Sequence, residues 1–127
     1  MCPVLNDVET GKTLQYPDLK PQRFAVSVTV GMEEAEAVAR TMLRWQVDVV
    51  DLERHRIDAV YKTRLGFKDD ITIVVTVDED GGSVVSMRSR SRLGRSDFGQ
   101  NARTIRKYQQ ALGEAVRARL ACREPGT

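Results

Sequence analysis

The sequence predicts an α+β fold, a two-layer sandwich in which an antiparallel sheet of about five strands is covered by two helices. Two kinds of pattern predict it. Several short segments alternate apolar with polar residues, and two longer ones repeat apolar residues at three- and four-residue spacing. The connections between the middle strands are short, which implies antiparallel neighbours. The predicted order is strand, helix, four strands, helix, and 127 residues suit one domain.

The first third of the chain is predicted to hold an arm, a strand and a helix. Residues 1–22 contain three prolines and no hydrophobic period, so they are predicted to form an extended N-terminal arm. From Phe24 to Val30 apolar residues alternate, which predicts a strand ended by Gly31. Met32 to Arg44 carries one apolar stripe and is predicted to be a helix. Trp45 closes that helix and is expected to be a core or edge anchor.

Four strands are predicted to follow in close order. They span Val47 to Leu52, Arg56 to Arg64, Ile71 to Val77 and Ser83 to Ser91. The turn from Asp78 to Gly82 joins the last two as a hairpin.

One long helix is predicted to complete the domain, from about Gly99 to Leu120. Its apolar residues recur at three- and four-residue spacing and are Ile105, Tyr108, Leu112, Val116 and Leu120. The predicted organisation is therefore a single α+β domain over residues 23–121, preceded by the arm and followed by a loose tail over 122–127.

Composition excludes several classes of protein. No run approaches the roughly 18 apolar residues of a membrane helix, and the N-terminus does not resemble a signal peptide. The chain as it stands is expected to be cytoplasmic, or periplasmic or membrane-attached if a leader has been removed.

Cys2 and Cys122 are too few for a disulfide framework or a zinc site, and free thiols are expected, with a bridge between the termini as the alternative. His55, the single histidine, lies in a predicted exposed turn and offers no triad. We expect no metal and no cofactor.

Positive charge is concentrated in one stretch. The net charge is only +2, but residues 88–107 hold six arginines and one lysine against one aspartate. This asymmetry favours an anionic partner, either a small molecule or an acidic protein segment. Nucleic acid is a weaker candidate, because the whole chain is nearly neutral and few aromatic residues lie among the arginines.

The predicted strand that ends at Ser91 alternates strictly. Its arginines, Arg88, Arg90 and Arg92, share one face, while Met87, Ser89 and Ser91 share the other. Like charges about 7 Å apart repel, so carboxylates or a bound anion should offset them. The hairpin brings Asp69 and Asp70 near Arg90 and Arg92, and we expect Arg88 and Arg92 to pair with Asp69, Asp70 or Asp97.

The segment that follows leads into the final helix. Gly94 and Gly99 allow close approach of a ligand, and free N–H groups at a helix start favour anions. Asp97 followed by Gln100 resembles a capping box, so Asp97 is predicted to be the N-cap. The candidate ligand-binding residues are Arg88, Ser89, Ser91, Arg92, Gly94, Arg95, Ser96, Asp97, Gly99, Asn101 and Arg103.

These segments resemble an uncharacterised family, domain of unknown function 1499. The resemblance rests on Gly66 to Asp70, on Arg88 to Arg103 and, more weakly, on Tyr16 to Leu19. The family occurs in bacteria and plastids, often behind a signal or membrane segment, and no activity comes with it. Its hallmark residues would here be Asp69, Asp70, Arg88, Ser89, Ser91, Arg92, Gly94, Ser96, Asp97, Gly99, Asn101 and Arg103. Many relatives begin with a cysteine pair, of which only Cys2 is present here.

Several functions remain open. The first is a module that binds a small anionic ligand or an acidic partner segment through the arginine-rich motif. The alternative is a cofactor-independent enzyme in which Asp69, Asp70 or Asp97 is the general base and arginines stabilise an anionic intermediate. Nucleic-acid binding and a purely structural network of these side chains complete the set.

Overall fold

In the computed structural model, which describes residues 7–92 and 99–122, six strands form one antiparallel sheet and two helices cover one of its faces. The elements are β1 (Asp7–Glu9), β2 (Gln22–Phe24), α1 (Val28–Thr41), β3 (Trp45–Asp51), β4 (Arg56–Lys62), β5 (Lys68–Val77), β6 (Ser83–Ser91) and α2 (Gln100–Cys122). The strand order is β1-β6-β5-β4-β3, and β2 also pairs with β6. The predicted two-layer α+β sandwich, with its element order, is confirmed.

The core lies between the sheet and the helices. Alternate residues of β4, β5 and β6 are buried on the helix side, which we call the inner face. The predicted stripe of α2 is buried from Ile105 to Val116, whereas Leu120 is exposed. The opposite side of the sheet, the outer face, carries the remaining residues of each strand.

The strand predicted over residues 24–30 is wrong. Within that segment only Phe24 belongs to a strand, β2, which pairs with β6, and α1 begins at Val28. Ser27 is the N-cap, and its hydroxyl accepts a hydrogen bond from the Val30 N–H at 3.2 Å. This cap, together with burial of the helix stripe, outweighs the β propensity of the three valines.

Gly31 lies inside α1 and does not end a strand. A Cβ at this position would lie 2.9 Å from Ser83 Oγ and 3.2 Å from Val75 Cγ1. The glycine therefore lets α1 pack closely on β5 and β6.

The helix α1 also ends earlier than predicted. It stops at Thr41, where the Met42 N–H caps it by donating to the Ala39 C=O. Arg44 has a φ of 69°, which turns the chain into β3. Trp45 therefore begins β3 and does not close the helix. It is partly buried and packs against the core, which confirms the expected anchoring role.

The central hairpin agrees with the sequence. β6 has the predicted bounds, Val77 pairs with Ser83, and the Asp78 N–H donates to the Gly82 C=O. β4 ends at Lys62 and β5 begins at Lys68, so both differ from the predicted strands at the turn between them. The structure does not describe residues 123–127 of the predicted tail.

The predicted arm contributes to the sheet and to the core. β1 pairs with β6 through Val8 and Ser89, and both Val8 and Leu19 are buried. A three-residue strand is too short to produce a visible period, which is why the sequence shows no sign of it.

No helix of the described residues is long and apolar enough to cross a membrane.

Candidate functional site

Arg88 and Arg90 of β6 lie on the outer face, and Arg92, directly after the strand, continues the row, as the alternation predicts. Arg88 donates to Asp7 with an Nε–Oδ1 distance of 2.8 Å, and Arg92 donates to Asp70 with an Nη2–Oδ1 distance of 3.0 Å. Arg90 is exposed and faces Asp7 on one neighbouring strand and Asp70 on the other. Carboxylates on the neighbouring strands thus offset this arginine row.

The sequence predicted carboxylate partners for Arg88 and Arg92. The Arg92–Asp70 pair is confirmed. The prediction for Arg88 is wrong, because its partner is Asp7 of β1. The hydrogen bonds from Arg88 hold the pKa of Asp7 below its ordinary value of 3.8, against a smaller opposing effect of burial. The same pairing raises the pKa of Arg88.

The inner face of β6 is tied to the first turn of α2. Ser89 is fully buried, and its hydroxyl donates to Asn101 Oδ1. The Asn101 amide then donates to Ser91 Oγ at 3.0 Å. Asn101 is itself fully buried. This Ser89–Asn101–Ser91 link fixes the start of α2 against the end of β6.

A cavity of about 540 Å³ opens beside this link, where several strand ends meet the start of α2. We call it the strand-end cavity. Its lining comes from the turn after α1, the turn between β4 and β5, the facing ends of β3, β4, β5 and β6, and the first turns of α2. The lining residues are Met42, Leu43, Arg44, Trp45, Tyr61, Thr63, Arg64, Leu65, Phe67, Lys68, Asp69, Ser91, Gln100, Arg103, Thr104 and Lys107.

Cationic side chains dominate the charge of this lining. Among the described lining residues five are cationic, and Asp69 is the one carboxylate. The cations are Arg44, Arg64, Lys68, Arg103 and Lys107. Four of them, all but Arg103, form no ion pair within residues 7–92 and 99–122. Asp69 is only 3% exposed, and its cross-strand neighbours are Tyr61 and Ser91.

The structure divides the sequence-predicted site residues into three groups. Ser91, Arg103 and Asp69 line the cavity, and the buried Ser89 and Asn101 lie next to it. Arg88, Arg92 and Asp70 lie on the outer face instead. Gly94, Arg95, Ser96 and Asp97 fall outside the described residues, and so does the predicted Asp97 cap.

Gly99 is close to the cavity and has a φ of 81°, which favours glycine. A Cβ there would lie 3.2 Å from Arg103 Nη1.

The nearby Arg106 donates to Asp18 at 2.9 Å and stacks over the Tyr16 ring. The N-terminal segment that resembles the family therefore holds the first turns of α2.

Sequence reasoning missed most of the cavity cations. Arg44, Arg64 and Lys107 come from two separate turns and from α2, and only the tertiary fold brings them together. The sequence contains one indication of these residues. Each of the two turns has an arginine next to a leucine, Leu43-Arg44 in one and Arg64-Leu65 in the other.

Within residues 7–92 and 99–122, no group of three or more histidine, cysteine, aspartate or glutamate side chains could hold a metal ion. His55 lies half-buried in the turn between β3 and β4. Cys122 is an exposed free thiol at the end of α2, and Cys2 lies outside the described residues.

Comparison with known proteins gives a family and no activity. Residues 3–112 match the family described as protein of unknown function DUF1499. No curated protein matches the chain at a significant level.

Proposed function

The chain belongs to the DUF1499 family of unknown function, and we propose that it binds a small organic anion in the strand-end cavity. The observation that carries the proposal is the charge of the wall, where five cations face one carboxylate among the described lining residues. Clefts lined by one sign of charge concentrate ions of the opposite sign. Arginine and lysine also give anions short, charge-assisted hydrogen bonds.

The outer face is a weaker candidate for the same role. Arg88 and Arg92 already donate to Asp7 and Asp70, which are held on neighbouring strands. An external anion would have to displace these carboxylates. Among the described arginines of the sequence-predicted motif, Arg103 is the one that lines the strand-end cavity, so it is the motif's candidate ligand contact.

The apolar part of the cavity supports an organic ligand over an inorganic one. Trp45, Tyr61 and Phe67 line it together with the cations. Small-molecule sites of roughly 300–1,000 Å³ usually combine such a wall with a few polar groups. An acidic protein segment could enter a cavity of this size only through a side chain, so a small molecule fits better.

The test uses the single tryptophan of the chain as the reporter. Because Trp45 lines the cavity, titration with phenyl phosphate, benzoate or citrate should change its emission. Lys107→Ala should weaken phenyl phosphate binding about tenfold, as expected for one charge-assisted hydrogen bond worth roughly 1.5 kcal/mol.

Arg117→Ala is the matched control, because Arg117 is an exposed cation of the same helix outside the cavity lining. It should leave the affinity unchanged. Equal losses in the two variants would indicate only a non-specific charge effect, and no binding of any of the three anions would refute the proposal.

A second function has one specific observation in its favour, the position of Asp69. This carboxylate is nearly fully buried, yet it lines a cavity whose other charges are cationic. We propose, as the alternative, that Asp69 takes a proton from a carbon next to the carbonyl group of a bound anion. The C–H electron pair would then form the C=C bond of an enolate while the π pair of the carbonyl group moves onto its oxygen, and the cations would stabilise that negative oxygen.

Deuterium exchange distinguishes this alternative from simple binding. With pyruvate in D₂O, the protein should accelerate exchange of the methyl protons, measured by NMR. Asp69→Asn should abolish the acceleration while leaving anion binding detectable. Exchange no faster than in buffer would leave binding as the function.

A further inference from the structure

We propose that the ligand of the strand-end cavity is a single-chain acidic amphiphile, whose anionic head meets the α2 wall and whose apolar chain leaves between Leu43 and Leu65. This inference rests on the proposed anion binding and narrows it to one chemical class. The distribution of residue types around the cavity carries it.

The polar wall comes from the end of β6 and the start of α2. These elements contribute Ser91, Gln100, Arg103, Thr104 and Lys107, and no apolar residue, to the described lining. Each of these side chains offers a donor to an anionic oxygen. A carboxylate, sulfonate or phosphate head is therefore best satisfied on this side.

The apolar residues of the described lining all come from the other elements around the cavity, which also contribute Arg44, Arg64, Lys68 and Asp69. Trp45 of β3 pairs with Tyr61 of β4, and Phe67 comes from the turn before β5. These three rings give an apolar body a surface to cover. Inorganic phosphate would leave that aromatic surface exposed to water, whereas the apolar chain of an amphiphile would cover it.

Two exposed leucines continue the apolar wall to the mouth. Leu43 and Leu65 both line the cavity but are 79% and 82% exposed. Their turns are adjacent, because the Lys62 N–H donates to the Arg44 C=O at 2.9 Å. An alkyl chain that emerges between the two leucines would bury apolar surface that the protein alone leaves in water.

The cations at the mouth are compatible with an apolar chain. Arg44 and Arg64 directly adjoin the two leucines and are exposed. Long cationic side chains cover apolar surface with their methylene stems and keep their charges in water. These arginines would attract the anionic head during entry and then flank the chain.

The experiment is a chain-length series read by Trp45 emission below the micelle concentration. Hexanoate, octanoate and decanoate should bind with affinities that rise up to about fourfold for each added methylene. Decanol should bind at least tenfold more weakly than decanoate, because it lacks the charge. Phenyl phosphate serves as the short anion.

Leucine variants test the exit path. Leu43→Ser and Leu65→Ser should reduce the gain per methylene, so that decanoate loses more affinity than hexanoate does. Leu52→Ser is the matched control, because Leu52 is 68% exposed in the turn at the opposite end of the same β3–β4 hairpin. It should leave the whole series unchanged, and melting temperatures should confirm that all three variants fold.

The outcomes separate this inference from the proposal on which it rests. Affinity independent of chain length, with phenyl phosphate still bound, would refute the amphiphile and retain the anion site. Decanol binding as tightly as decanoate would refute the acidic head. Binding to anionic phosphatidylglycerol vesicles without decanoate binding would assign the leucines to a lipid surface and overturn the inference. No binding of any anion would refute both.

Discussion

Trp45 stacks on Tyr108, with 5.1 Å between the ring centroids and 11° between the ring planes. Tyr108 is fully buried in α2, and its hydroxyl donates to the Ala35 C=O of α1 at 2.7 Å. Burial raises the pKa of the Tyr108 phenol, so the hydroxyl remains a donor. One aromatic pair therefore connects the edge strand β3 to both helices and also contributes to the wall of the cavity.

Trp45→Ala should destabilise the fold by about 2 kcal/mol, below the roughly 3–5 kcal/mol of a fully buried tryptophan. The smaller value follows from the partial exposure of Trp45. Urea unfolding followed by circular dichroism measures the change without needing the tryptophan. An unchanged midpoint would show that the stacking on Tyr108 contributes nothing to stability.

Asn101→Ala should cost about 2 kcal/mol, because it leaves the buried Ser89 hydroxyl without its acceptor. The double variant Ser89→Ala with Asn101→Ala should lose less than the two single losses added together, because both partners are then removed. Gln110→Ala, an exposed position of α2, should lie within about 0.5 kcal/mol of wild type. Strictly additive losses at Ser89 and Asn101 would contradict a direct coupling.

The parts of the fold that the sequence predicted well are those in which one period dominates. In β6 the strict alternation assigned Arg88 and Ser89 to the correct faces. The start of α1 was mispredicted because Val26, Val28 and Val30 also alternate, whereas the Ser27 cap and burial of the helix stripe together favour the helix. Local propensity is weak against such a tertiary context.

The candidate site was only partly predictable, for a different reason. Ser91 and Arg103 lie in the stretch that drew attention by its charge, and both line the cavity. Arg44 and Arg64 are far apart along the chain and are brought together by the pairing of β3 with β4. The short connection predicted that these strands pair, but it did not show that the open end of the hairpin would line a cavity. The Arg88–Asp7 pair was missed because β1 is too short to be seen.

The Asp7–Arg88 pair predicts a specific dependence of stability on acid. Because the pKa of Asp7 is lower in the folded chain than its ordinary 3.8, ionised Asp7 stabilises the fold above that pH. This contribution should be lost as the pH falls through the lower folded pKa. Asp7→Asn should therefore be less stable than wild type near neutral pH, and the difference should shrink below pH 3.8.

Urea unfolding at a series of pH values measures this difference. Asp80→Asn is a suitable control, because Asp80 is an exposed carboxylate of the β5–β6 turn without an ion pair in the described part of the chain. It should show no comparable pH-dependent difference. If the difference in stability between Asp7→Asn and wild type grew as the pH fell, the prediction would be contradicted, because a lowered pKa of Asp7 requires that difference to shrink.

Arg44→Gly should separate stability from binding. Arg44 holds a φ of 69°, which costs an L-residue roughly 1 kcal/mol and costs glycine almost nothing. Glycine also has more conformational freedom in the unfolded chain, which offsets about half of this relief of backbone strain. A net gain of about 0.5 kcal/mol in the free energy of unfolding is therefore expected. Arg44→Ala removes the same cation but keeps the strained φ, so it should not share the gain.

The matched position for this test is His55, the other described non-glycine residue with positive φ, at 53° in the turn at the far end of β3. His55→Gly should raise the melting temperature much as Arg44→Gly does, because both relieve the same backbone strain. Only the two Arg44 variants should weaken phenyl phosphate binding in the Trp45 titration, because only they remove a cation from the strand-end cavity.

If Arg44→Gly were less stable than Arg44→Ala, the side chain would be stabilising its own turn. If all three variants bound phenyl phosphate equally well, Arg44 would have no part in the site. A more stable variant that binds less well would instead identify Arg44 as a residue held in a strained conformation for its contact with the ligand.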